Sequence, residues 1–140
     1  PTRPLPLVEK GVLRNFLYDL DTAARAGVAP TGHTNCSVNQ LDIPPGDLSR
    51  DELLRGIGEG ILIRDLIGFG QGNILNGDFS VNVGLGFRIK DGRLDGRVKN
   101  VSVAGNVYDL LKSGGALSLE RDPSSRVPWA RVEGVSVTAG

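Results

Sequence analysis

Twenty glycines, scattered among apolar residues, constrain this 140-residue chain more than any other feature. Glycine adopts positive φ without steric cost, so glycines spread in this way mark repeated tight turns and bulges between short elements. Apolar residues make up 39% of the chain and recur in short alternating runs. That is enough to build a core, which a disordered linker could not do. The pattern predicts an α+β fold, with a mainly antiparallel, glycine-rich sheet and a few short helices. The sequence shows no internal repeat and no second composition zone, so a single domain over residues 1–140 is expected.

Local signals place the elements. Three prolines make residues 1–9 an extended entry segment. Residues 12–18 fit a strand, followed by a short helix over 22–26 with Asp21 as N-cap and Gly27 as C-cap. Residues 28–35 are rich in turn formers, and residues 36–43 alternate as a strand that Pro44, Pro45 and Gly46 stop. Ser49 and Glu52 form an S-x-x-E capping box that opens a helix to about Ile57, with Leu53 and Leu54 turned to the core. The β-branched run 61–67 is a strand, and 68–77 is a glycine-rich loop. Residues 79–89 then pair with 93–98 across Asp91-Gly92, a favoured type I′ turn pair. Phe87 and Ile89 share one face of that hairpin, Arg88 and Lys90 the other. A strand at 101–104, a helical turn capped by Asn106 and a strand within 129–137 complete the reading.

Lys plus Arg and Asp plus Glu both total 16, giving a formal net charge of zero. A nucleic-acid binder would show a basic stripe and a membrane-surface element a polybasic cluster, so neither partner is expected. No apolar run has bilayer-spanning length. The opening PTRPLPLVEKG lacks the basic and apolar regions of a signal peptide, and the single cysteine, Cys36, has no internal partner for a disulfide. A cytoplasmic location is the expectation.

Residues able to do chemistry are few. Catalytic zinc takes at least three protein ligands and structural zinc four, yet the chain offers one histidine, His33, and one cysteine, Cys36. They stand three apart in a Gly/Thr/Asn segment, with Asp42 nearby, and are weak metal candidates. As a Cys–His dyad they lack an orienting third group. The G-x-G-x-G of residues 68–72 follows a strand, but neither a helix nor a Walker lysine follows it, so it reads as a strand crossing. Asp65, Asp78, Asp91 and Asp95 read as turn and strand-end acids. No catalytic residue is assigned.

Four stretches occur together in order: GVLRNFLYD at 11–19 running on to Thr31-Gly32-His33, NILNGDFS at 73–80 continuing to GFRIKDG at 86–92, VKNVSVAGN at 98–106, and VEGVSVTAG at 132–140. This order and spacing resemble the C-terminal domain of TldD/PmbA proteins, also labelled modulators of DNA gyrase. On that resemblance Gly77, Asp78, Phe79, Ser80, Gly105 and Asn106 are family-motif residues with structural roles. The family resemblance implies a cytosolic heterodimeric metallopeptidase that acts on unfolded peptides. Its zinc would be held by two histidines of an H-E-x-x-x-H helix and by a late cysteine. Such a helix would lie upstream of this chain, and where the cysteine would fall, residues 118–125 read SLERDPSS. The departure points to the PmbA/TldE-like, metal-free branch.

The expected function is therefore a non-catalytic subunit or fragment of a peptidase assembly, inactive alone and without a cofactor. It would be partnered by a TldD-like or identical subunit, with an unfolded peptide as substrate of the assembly. Two alternatives remain. One is a zinc metallopeptidase subunit whose ligands, His33 and Cys36 included, are completed by another chain. The other is a small adaptor that binds DNA gyrase or another protein.

Overall fold

The computed structural model describes residues 3–10, 12–38, 40–68 and 74–140, which form two compact units, Pro1–Leu41 and Asp42–Gly140. The first carries a minimal antiparallel pair, β1 (Val8–Glu9) with β2 (Val12–Leu13), and one helix, α1 (Leu20–Ala26). The strand expected over 12–18 is thus two residues long. Beyond Leu13 the chain leaves the ladder, and Tyr18 exchanges its backbone hydrogen bonds with Thr31 instead. The helix begins two residues earlier than expected, because Asp19 and Thr22 cap it reciprocally while Asp21 sits inside the first turn and pairs with Arg25. Gly27 closes it in the left-handed conformation, as expected. The strand expected over 36–43 is absent among the described residues. A 3-10 turn, Thr34–Cys36, holds Asn35 and Cys36 at positive φ, and that backbone cannot enter a ladder. Among the described residues of this unit, Ala23 is the buried apolar one.

The second unit is built on one long strand. β4 (Asp78–Lys90) lies between β3 (Glu59–Ile67) on one side and, on the other, β5 (Arg93–Arg97) and β6 (Val101–Asn106). β9 (Ser136–Ala139) pairs with β6, and the described strands of this sheet all pair antiparallel. The α+β reading holds, and the sheet is the glycine-bearing one that the composition demands. The hairpin forms as predicted. Asp91 and Gly92 take φ of 49° and 73°, the signature of a type I′ turn. Its tip docks on the residues after helix α2 (Arg50–Arg55): Asp91 N donates to Gly58 O and Gly92 N to Ile57 O. A Cβ on Gly92 would sit 2.8 Å from the Arg55 Cα, so the position needs glycine for approach as well as for φ.

Alternation sets the core. Val81 and Ile89 of β4 are buried with Val101 and Val103 of β6 and Leu53 of α2, while Arg88 and Lys90 are exposed. Ile89 is only 1% exposed. Burying such a side chain stabilises the fold by roughly 1.5–3 kcal/mol. The capping box of α2 forms as read, with Glu52 N donating to Ser49 Oγ and Ser49 N to Glu52. The single strand expected within 129–137 is two strands. β8 (Pro128–Arg131) pairs back on β7 (Ala116–Arg121), and β9 leaves for the main sheet after Gly134, at φ 83°. No helix among the described residues is long and apolar enough to cross a membrane.

Candidate functional site

Among the described residues, three clusters gather side chains able to hold or recognise something. The first gathers the motif residues. Asn106 ends β6, and its carbonyl oxygen accepts from the N–H groups of Tyr108 and Asp109, capping α3 (Val107–Ser113). Its amide donates to Asn76 O at 2.8 Å and to Asp78 Oδ1 at 2.7 Å. Val107 N donates to Gly77 O, and Tyr108 Oη donates to Leu75 O. Gly77, at φ 77°, lies so near the Tyr108 ring that a Cβ there would come within 2.5 Å of it. One register along, Phe79 stands opposite Gly105 with its ring against that glycine, and Ser80 stands opposite Ala104. Gly77, Asp78, Phe79, Ser80, Gly105 and Asn106 thus meet at one junction of β4, β6 and α3. The junction ties down the turn Ile74–Asn76 that follows the glycine-rich segment. Residues 69–73 of that segment, and with them most of the expected strand crossing, lie outside the described residues.

The second cluster holds His33 and Cys36. Thr31 Oγ1 donates to Tyr18 O and accepts from Tyr18 N. The same hydroxyl lies 3.1 Å from His33 Nδ1 and shares a hydrogen bond with that ring, which is 8% exposed. Cys36 faces a different network. Thr22 Oγ1 donates to Asp19 Oδ1, so the thiol, 3.3 Å from that hydroxyl, donates into the α1 cap. The Asp19 carboxyl is held below the usual range, first by the Thr22 N–H, then by the Thr22 hydroxyl and, more weakly, by the Cys36 thiol. His33 and Cys36 therefore serve separate hydrogen-bond networks. Among the described residues no three His, Cys, Asp or Glu side chains gather where they could share a metal ion.

The third cluster was not legible in the sequence. Ser118 of β7, fully buried, donates to Glu120 O and accepts from Trp129 N at 2.8 Å, which locks the β7–β8 hairpin. At its turn Asp122 accepts from the N–H groups of Ser124 and Ser125 and binds Arg64 at 3.0 Å. The Ser125 and Ser124 N–H groups, with a smaller part from Arg64, hold this carboxyl low. The guanidinium groups of Arg50 and Arg64 lie 4.8 and 4.6 Å from the centre of the Trp129 ring. Such contacts contribute about 0.5–1 kcal/mol each at exposed sites. They border a groove of ≈ 820 Å³ between α2, β3 and the segment 127–135. A lone tryptophan after a proline was the one available sequence signal. The arginines come from distant segments, and only tertiary packing joins them to it.

Comparison with known proteins agrees with this geometry. Residues 1–139 match the family model described as the PmbA/TldA metallopeptidase C-terminal domain. A metalloprotease of Methanothermobacter thermautotrophicus is 38% identical over 76% of this chain and 25% of its own length. The Haemophilus influenzae metalloprotease PmbA homologue is 32% identical over 80% of this chain and 24% of its own. Two solved structures superpose on nearly the whole chain at 30% identity. A candidate modulator of DNA gyrase from Thermotoga maritima is matched over 99% of this chain and 33% of its own, with a TM-score of 0.85. TldE from Thermococcus kodakarensis is matched over 100% and 34%, with a TM-score of 0.78. The chain thus spans about a quarter of the length of the curated relatives it matches. With sequence and fold in agreement from end to end, the chain belongs to the PmbA/TldD family, whose C-terminal domain it represents.

Proposed function

We propose that this chain serves as a non-catalytic, metal-free subunit, or part of one, in a TldD/TldE-type metallopeptidase assembly acting on unfolded peptides. One observation carries the reading. The segment 118–125, where the family resemblance would put a zinc-binding cysteine, is occupied here by a hairpin built on Ser118 and Asp122. The chain's one cysteine belongs instead to the other unit, where its thiol supports a helix cap. The similarity to a TldE structure supports the same side of the pair. On this reading the metal and the hydrolytic step come from a TldD-like subunit in the cytoplasm, and this chain supplies framework and peptide-facing surface.

The test is metal analysis of the purified chain after dialysis against zinc-containing and then zinc-free buffer. Less than a tenth of an equivalent of zinc (~0.1, set against the tight retention of a complete structural site) is expected for the chain and for Cys36→Ala alike. Stoichiometric zinc, lost in Cys36→Ala, would replace this reading with a zinc site completed by a second chain. One observation gives that second reading its place: His33 lines a groove of ≈ 870 Å³ together with Arg3, Asp19 and Asp21.

A further inference from the structure

The groove between α2, β3 and β8 contains more hydrogen-bond donors than its structural role consumes. Arg64 stands at a β-bulge, where the register jumps from Ile63↔Gly86 to Asp65↔Leu85. A bulge re-aims the side chain it carries, and here that side chain reaches Asp122 and the Trp129 ring. Arg50, on the first turn of α2, lies over the same ring, and its guanidinium makes no ion pair or hydrogen bond with the described residues. Arg131 follows Trp129 by two residues, so both side chains project from one face of β8 into the groove. Its guanidinium, packed against Gly56, also has no hydrogen-bond or ion partner among the described residues. The acids of the groove are largely committed: Asp122 to Arg64, and Glu59 to Arg88. Glu120, nearby, accepts from the Arg50 backbone N–H. Glu133 lies exposed at the rim.

We infer that this groove binds an extended acidic peptide segment, with carboxylate side chains two residues apart received by Arg50 beside Trp129 and by Arg131. The inference deepens the peptide-facing role proposed above and rests on it for the identity of the ligand as peptide. Three features select this occupant. Guanidinium forks match carboxylates in a bidentate way. Leu53, Ile61 and Ile63 supply apolar lining for the intervening side chain. Positions 129 and 131 are separated by about 6.6 Å along a strand, the same repeat that places alternate side chains of an extended peptide on one face. A single terminal carboxylate would engage only one of the two positions.

Trp129 is the chain's only tryptophan, so its emission reports on the groove directly. The experiment titrates the metal-free chain at low salt with three hexapeptides. One is acetylated and amidated, with glutamates at alternate positions, the second is its glutamine counterpart, and the third is the glutamine peptide with a free C-terminal carboxylate. A saturable change in Trp129 emission is expected with the glutamate peptide, at an affinity roughly tenfold above either control. Arg50→Gln and Arg131→Gln should each remove about that factor, with circular dichroism unchanged. Arg131→Lys should recover only part of it, since an ammonium lacks the fork. Equal binding of the glutamate and glutamine peptides, preference for the free terminus, or no binding would each overturn the inference. None of those results bears on the zinc content of the chain, so failure here is distinguishable from failure of the subunit reading.

Discussion

Single residues carry the sheet, and each can be tested alone. Ile89 fills the centre of the core, and Ile89→Ala should cost about 2–5 kcal/mol, read as a lower urea midpoint at unchanged slope. An unchanged midpoint would mean that the core lies elsewhere. Asn106 both caps α3 and bridges Asn76 and Asp78. Asn106→Ala should therefore lose about 1–2 kcal/mol, more than Ser113→Ala, whose hydroxyl donates one bond to the carbonyl of Leu110. Equal losses would reduce the junction to an ordinary cap. Some of this was legible in the sequence, because Asn106, Gly77 and Gly92 have residue types that betray a cap or a positive φ. The roles of Ser118 and Trp129 were not, because a buried hydroxyl and a stacked ring depend on neighbours that arrive from remote parts of the chain.

At the scale of elements, local chemistry was readable wherever both partners lie within a few residues. The Asp91-Gly92 hairpin and the Ser49–Glu52 capping box depend on such short-range signals, and both formed as read. The segments 12–18 and 36–43 had strand-like alternation, yet among the described residues of the two only Val12–Leu13 joins a ladder, so pairing overrode propensity. The α1 start was misplaced by two residues because two aspartates competed for the cap. The reciprocal bond from Thr22 decides for Asp19. The caps and the hairpin turn share an electrostatic signature. Asp19 is lowered first by the Thr22 N–H, Glu52 by the Ser49 hydroxyl and Asp122 by the Ser125 N–H. Carboxyls depressed in the folded state stabilise it above their unfolded values, near 3.9 and 4.3, and that contribution is lost as pH falls through the lower folded values. Folding free energy, measured by denaturant titration, should thus be flat in this respect above about pH 5 and fall below about pH 4. The triple variant Asp19→Asn, Glu52→Gln, Asp122→Asn should show a shallower acid slope. An identical slope would remove the caps from the account.

Large apolar side chains are exposed in both units, Phe16 in the first and Leu75 and Leu111 in the second, and apolar surface of this kind is what an interface covers. Light scattering over a range of micromolar concentrations should accordingly give masses above the 14.8 kDa of one chain, and a constant 14.8 kDa would show that this surface needs no cover. The central proposal concerns chemistry: that the chain contributes framework and peptide-facing surface to a peptidase, and that its partner contributes the metal. The most direct measurement is cleavage of an unfolded polypeptide by the pure chain with added zinc, with and without chelator. The account predicts intact substrate in both. Zinc-dependent fragments that disappear on chelation would contradict it.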